Sequence, residues 1–402
     1  MQESLLPTPE QTAPRRSLVT MLHDRKVRGM LFQALLALVL VAAGYLLVTN
    51  AINNLRAANI TSGFGFLTQV SGFNINQALI NYDGAVSSYG DAFIVGLLNT
   101  LLVAALGICF ATMIGFTVGI ARLSSNKVVA AAATMYVEVM RNLPLLLHIF
   151  FWYSAVLAAL PGPRGSLQIG NFLFLNNRGL YMPSFGLTGS GWPLAIATLM
   201  AAAAYFLIRR WSLRQQARDG MARPHGFLGA LAGVAIIGLA YLASEAVLSM
   251  ELPQLRGFGL GGGTRVYPEL VALLVALSTY TGAFIAEIVR AGVSAVSRGQ
   301  YEAATALGLT PKQSQKLIIT PQAMRIIVPP LTSQFLNLTK NSSLAVAIAY
   351  PDLVHVFMGT VLNQTGRAVE IVTITMSVYL IISLCTSVLM GIYNRRVRLI
   401  ER

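Results

Sequence analysis

The feature that most limits what this chain can fold into is a series of apolar runs. Each is about as long as a helix needs to cross a bilayer, roughly 20 residues. They are Met30–Val48, Phe93–Ile120, Val128–Leu160, Trp192–Ile208, Phe227–Leu248, Pro268–Val289, Ile326–Ala349 and Ile371–Ile392. Only 11% of the residues are charged and 55% are hydrophobic, whereas a soluble domain carries about a quarter charged. The expected fold is therefore all-α and polytopic, with about eight transmembrane helices. Met30–Val48 is longer than a signal-peptide core, and Val48-Thr49-Asn50-Ala51 is a poor cleavage site, so an uncleaved first span is expected. Cys109 and Cys385 lie inside apolar runs. They are expected to pack as small hydrophobes and imply no disulfide framework.

A formal net charge of +14 raises the possibility of a nucleic-acid partner. The basic residues, however, are spread between the spans rather than gathered on a domain. With eight spans both termini share a side. Placing them in the cytoplasm puts 21 Lys and Arg inside and 6 outside, with Arg141 and Lys340 within spans. That bias sets the orientation and explains the charge better than a nucleic-acid partner does.

Between Val289 and Ile326 lies a polar island, Arg298 to Pro321. Gly299 to Leu307 holds good helix formers with few bulky side chains. Gly308 permits a turn that a β-carbon would resist. Thr310-Pro311 suits a new helix start, with Thr310 as N-cap and Pro311 in the first helical position. Two short helices joined at Gly308 and held at the membrane surface are expected. Such an element suits a partner's groove.

Other polar groups interrupt the spans. Glu287 and Arg290 are three apart and can pair on one helix face, as can Glu138 and Arg141. Gly115 and Gly119 have the spacing that permits close helix contact. Lys340-Asn341-Ser342-Ser343 breaks a span that Pro329 and Pro330 are expected to enter. For these groups, contact with a transported solute and helix–helix bonding both remain open. No G-x-x-x-x-G-K-[ST] phosphate loop, zinc-helix motif, Ser/His/Asp signature or Cys pair occurs. His23, His148, His225 and His355 are scattered. The chain is therefore expected to hydrolyse no ATP and to hold no metal or cofactor of its own.

Glu302-Ala303-Ala304, followed by Gly308, Ile318 and Pro321, resembles the EAA loop of ABC importer permeases. Tyr280 to Gly292, Lys340 to Leu344 and Val137 to Pro144-Leu-Leu narrow the resemblance to the polar amino-acid permeases. Residues 93–160 and 268–392 carry the likeness, and the added spans make the general L-amino-acid subgroup the nearest match. The resemblance implies a type I ABC importer permease core working by alternating access in a bacterial inner membrane. It implies a cytoplasmic ABC ATPase dimer that holds ATP and Mg, a second permease subunit, homologous or identical, and a periplasmic amino-acid-binding protein. Glu302, Ala303, Ala304, Gly308 and Pro321 would couple to the ATPase. Lys340, Asn341, Ser342, Glu287 and Arg141 are candidates for the substrate pathway.

The resulting organisation begins with a cytoplasmic tail, 1–29, and an extra first span with an external segment, 30–92. The first part of the core, 93–160, is followed by inserted external segments and an extra transmembrane hairpin, 161–267. The second part of the core, 268–392, contains the coupling loop 293–324, and a basic cytoplasmic tail, 393–402, ends the chain. An ion-gradient-driven secondary transporter and a non-transporting membrane scaffold are the alternatives. Internal repeats would favour the first, and none is visible between the halves.

Overall fold

The computed structural model describes residues 25–57, 63–188, 192–219, 225–243, 247–257 and 259–397. Most of the expected N-terminal tail, 1–24, and the chain end, 398–402, lie outside these residues, as does His23. Helix α1, Arg25–Ala57, contains the first expected span. Its apolar window buries nothing against the rest of the chain.

Helix α2, Tyr89–Ala121, opens on a capping box. Ser88 Oγ accepts from Asp91 N at 3.1 Å, and Asp91 Oδ2 accepts from Ser88 N at 2.8 Å. Its buried face carries a stripe of small residues three or four apart: Ala92, Gly96, Thr100, Ala104, Gly107, Ala111, Gly115 and Gly119. A β-carbon on Gly115 would lie 2.4 Å from Ile285 Cγ2, and one on Gly119 would lie 2.8 Å from Ala286 O. The glycines therefore let another backbone approach closely, as their spacing predicts.

Helix α3, Lys127–Asn142, is N-capped by Asn126. Leu143 is extended, as a residue preceding proline prefers, and Pro144 begins α4, Leu145–Phe150. α4 runs into a wide π-turn, Phe151–Leu157. The two pieces meet at 106°. The expected single span Val128–Leu160 is thus two helical pieces, and both cannot stand along one membrane normal.

The insert departs from a purely helical reading. Strands β1 (Leu167–Ile169), β2 (Leu173–Asn176), β3 (Gly179–Met182) and β4 (Ser184–Thr188) precede a hairpin of α5 (Trp192–Asp219) and α6 (His225–Ala243). Strands β5 (Val247–Glu251), β6 (Gln254–Arg256), β7 (Gly259–Gly261) and β8 (Thr264–Val266) follow. One antiparallel sheet has the order β1-β2-β3-β8, while β4 pairs with β5 and β6 with β7. The expected span Phe227–Leu248 therefore stops at Ala243, and Val247 and Leu248 belong to a strand.

Helix α7, Pro268–Ser294, is the centre of the molecule. Its upper part packs Leu270, Leu273 and Leu277 against Leu145, Ile149 and Leu157. Its lower part packs Ile285 and Val289 against Ile327 and Leu331. After α8 (Arg298–Ala306) and α9 (Pro311–Ser314) comes α10, Thr320–Asn341. Pro329 and Pro330 sit inside α10 rather than at a helix entry, where they remove two N–H donors from its ladder.

A 3-10 segment, Ser342–Ile348, a π-turn, Val354–Val361, and the short α11, Leu362–Thr365, lead to the final helix α12, Ala368–Val397. The stretch 350–370 is packed along its first half. Tyr350, Asp352, Leu353, Phe357 and Val361 are fully buried. Four described helices are long and apolar enough to cross a membrane alone, and the count reaches five only if the bent α3–α4 pair is taken as one span. Cys109 and Cys385 are free and exposed on the outer faces of their helices, not packed within.

Candidate functional site

Helix α8 ends by local chemistry. Gly308 N donates to Thr305 O at 2.9 Å, and Leu309 N donates to Ala304 O at 3.1 Å. This paired closure needs a left-handed residue between helix and exit, and Gly308 has φ +72°. Thr310 then caps α9. Its Oγ1 accepts from Gln313 N at 3.4 Å, and Gln313 Oε1 accepts from Thr310 N at 2.9 Å. The turn at Gly308 and the start at Thr310-Pro311 therefore stand where the residues place them.

One detail differs from the two short helices expected here. The second helix is not short: α9 continues through a π-turn, Gln315–Ile319, into α10. Glu302 is the fifth residue of a nine-residue helix whose first turn holds no acid. It therefore does not sit at the positive end of the helix dipole, the first of two anchors its charge allows. The second is a basic group on a partner. Glu302 and Ala303 are exposed, Ala304 is fully buried, and Pro321 is exposed at the start of α10. On this otherwise polar element Leu307 is 77% exposed and Leu317 62%. Gln322 Nε2 donates to Gln300 Oε1 at 2.9 Å and ties α8 to the start of α10.

The polar break stands at the other end of α10. The α-helix stops at Asn341. Lys340 is exposed and Asn341 half-buried. Ser342 is completely buried and donates to Thr339 O at 2.7 Å, so it faces the packed interior and not a cavity. Lys340 and Ser343 line a cavity of about 380 Å³ together with Thr375, Tyr379 and Ser383. Thr375 Oγ1 there has no hydrogen-bond partner.

Behind this cavity lies a polar layer that the sequence did not single out. Tyr379 OH donates to Asp352 Oδ2 at 3.3 Å, and Leu353 N donates to Thr100 Oγ1 at 3.0 Å. Asn99 Nδ2 donates to Gln77 O at 2.8 Å and to Pro351 O at 2.9 Å. Asp352 is the only charged residue between Lys340 and Arg367, and that isolation was the available signal. Ala349, at φ +58°, is the one non-glycine residue with positive φ among the described residues. It marks a strained link between the 3-10 segment and this layer.

Glu287 gathers more partners than its own helix supplies. Arg290 Nη2 donates to Oε1 at 2.5 Å, as the three-residue spacing predicts. Arg122, at the end of α2, pairs with Oε2. Arg141 lies 3.9 Å from that same oxygen, with its guanidinium 5.1 Å from the Phe284 ring centroid. The expected Glu138–Arg141 pair is not formed: Glu138 is exposed and Arg141 turns to α7. The pathway candidates thus fall into two places, Lys340 and Asn341 at one, Glu287 and Arg141 at the other.

Residues 268–399 match the family described as binding-protein-dependent transport system inner membrane component. The chain is 51% identical over 379 residues to the putative amino-acid ABC transporter permease protein YhdX of Escherichia coli, covering 94% of this chain and 95% of that protein. It is 46% identical over 381 residues to the general L-amino acid transport system permease protein AapQ of Rhizobium johnstonii, covering 95% of each. It is 39% identical over 412 residues to the glutamate/glutamine/aspartate/asparagine transport system permease protein BztB of Rhodobacter capsulatus, covering 95% and 96%.

Proposed function

The chain belongs to the amino-acid ABC transporter permeases, and from that membership we propose how its geometry couples a separate ATPase to amino-acid import. The polypeptide is the membrane subunit that forms the translocation pathway. It performs no ATP hydrolysis. An ion-gradient mechanism is not favoured, because relatives matching over nearly its whole length are ABC permeases.

The observation that carries the coupling proposal is backbone continuity. From Pro311 the chain runs through α9 and the π-turn into α10 without leaving helical geometry, and α10 ends at Lys340 and Asn341. Its 22 residues span roughly 33 Å at the usual helical rise. α8 and the turn at Gly308 are the docking surface for a cytoplasmic ABC ATPase dimer that holds ATP and Mg. Leu307 and Leu317 supply exposed apolar contact. Ala303 allows close approach, and Glu302 meets a basic group. Ala304 packs the element inward, and Pro321 starts the helix that transmits its motion. Movement of the ATPase dimer tilts α10 and changes access at its far end.

Lys340 and Asn341 form part of the substrate pathway, where the ammonium meets a substrate carboxylate. We assign Glu287 and Arg141 to holding α2, α3 and α7 together, since Glu287 is already engaged by Arg122 and Arg290. Completing the transporter are a second permease subunit, homologous or identical, and a periplasmic amino-acid-binding protein. The site of action is a bacterial inner membrane, with both termini cytoplasmic.

Three measurements test this. Proteoliposomes holding the complex should take up amino acid with ATP and no ion gradient, and uptake that needs the gradient sinks the proposal. The ATPase should copurify with the intact chain. For orientation, Gly259→Cys should react with an impermeant thiol reagent from outside intact cells and Arg214→Cys should not. Outside labelling of Arg214→Cys would reverse the topology.

A further inference from the structure

The junction of α2, α3 and α7 holds more positive charge than negative. Arg122, Arg141 and Arg290 converge on one carboxylate, Glu287. Arg290 and Arg122 already take its two oxygens. Arg122 also reaches Thr134 Oγ1 at 3.4 Å. Arg141 is left with a 3.9 Å approach and an aromatic face. Arg290 Nε is buried and has no hydrogen-bond partner. Glu138, the nearest other acid along α3, points to the exposed side and pairs with none of them among the described ion pairs. Three guanidinium charges against one carboxylate leave an excess of two positive charges at this junction. Guanidinium groups in such an excess favour a counter-anion that can accept from them.

We propose that this cluster binds the phosphate of an anionic phospholipid headgroup. Depth is the first argument. α2 ends at Ala121, immediately before Arg122, and α7 ends at Ser294, one turn beyond Arg290. Both apolar runs stop here, which is where headgroups lie. Access is the second: the side chains of Arg141 and Arg290 remain 41% and 38% exposed while Arg122 is 11% exposed. Chemistry is the third. Planar guanidinium forks bind phosphate oxygens in pairs, and a phosphodiester offers acceptors to the fork of Arg141 and to the donors of Arg290 that Glu287 leaves unused. Ile120, beside the cluster in sequence and 59% exposed, presents apolar surface to the acyl chains. A negative lipid adds electrostatic attraction that a zwitterionic one lacks.

The test uses the full transporter complex, purified after exchange into nanodiscs of equal phosphatidylglycerol and phosphatidylcholine. Retained lipid is counted by native mass spectrometry. The wild type should keep about one phosphatidylglycerol per permease chain and favour it about fivefold or more over phosphatidylcholine. Arg141→Gln should lower that retention about fivefold, and Arg141→Lys, which keeps the charge without the fork, about twofold. The lysine variant decides the matter if the glutamine variant does not assemble. Arg210→Gln, a charge removed on the α5 surface, should retain lipid as the wild type does. Equal retention of both lipids, or undiminished phosphatidylglycerol in the Arg141 variants, overturns the proposal. So does displacement of lipid by millimolar inorganic phosphate, which would make this a free-phosphate site. A cross-link from position 141 to an acidic residue of a neighbouring subunit would show that protein supplies the counter-charge.

Discussion

Gly308 separates backbone strain from crowding. Nothing lies within 4 Å of a β-carbon built on it. A substitution there meets only the penalty of φ +72°, about 1–2 kcal/mol for a β-branched residue. Gly308→Val should keep membrane insertion and pairing with the second permease, yet lose ATPase copurification and ATP-driven uptake. Gly308→Asn should keep most of both, because asparagine tolerates the left-handed region. Normal uptake by the valine variant would mean that no sharp turn is needed. Lys340 makes the second test at this scale. It is exposed into the cavity shared with Thr375 and Tyr379 and has no ion-pair partner among the described residues. Lys340→Met should leave assembly intact and lower uptake, with KM rising if the ammonium holds the substrate. Collapse of assembly would make Lys340 a structural group.

The close approach of α2 and α7 is the element that glycine spacing made legible. Gly115→Ala would place a methyl 2.4 Å from Ile285 Cγ2 and 3.0 Å from Gly282 O. Backbone cannot give way as a flexible side-chain end can, so overpacking of about 1–3 kcal/mol is expected. Thermal unfolding of the complex in detergent should fall for Gly115→Ala and stay unchanged for Gly44→Ala on α1, where nothing lies within 4 Å. The same contrast explains what the sequence carried and what it hid. The turn at Gly308, the cap at Thr310 and the Glu287–Arg290 pair are set by neighbours within four residues, so residue type suffices. Arg122 reaches Glu287 across 165 positions, and no local spacing announces that. Asp352 stands alone among apolar residues in the sequence, but its burial and partners arise only when α2 and α12 close over it. The strands of the insert are three to five residues long, too short for alternation to stand out beside the flanking apolar runs.

At the scale of the whole molecule the α5–α6 hairpin is joined to the rest of the insert through a narrow neck. Strands β4 and β5 pair antiparallel, and at their far end Thr188 stands directly opposite Val247. The chain leaves for the α5–α6 hairpin from one of these residues and returns at the other, a single strand spacing away, about 5 Å. The hairpin is therefore built like a detachable cassette. Replacing residues 189–246 by Asn-Gly would close the neck with the two-residue turn that antiparallel strands favour. Because the cassette goes out and back, its removal leaves everything from Pro268 onward facing as before. The shortened chain should still insert, copurify with the ATPase and keep the orientation of Gly259→Cys. Loss of insertion would show that the core depends on the hairpin. A permease arranged this way can gain or lose peripheral helices in pairs while its transport machinery stays in register.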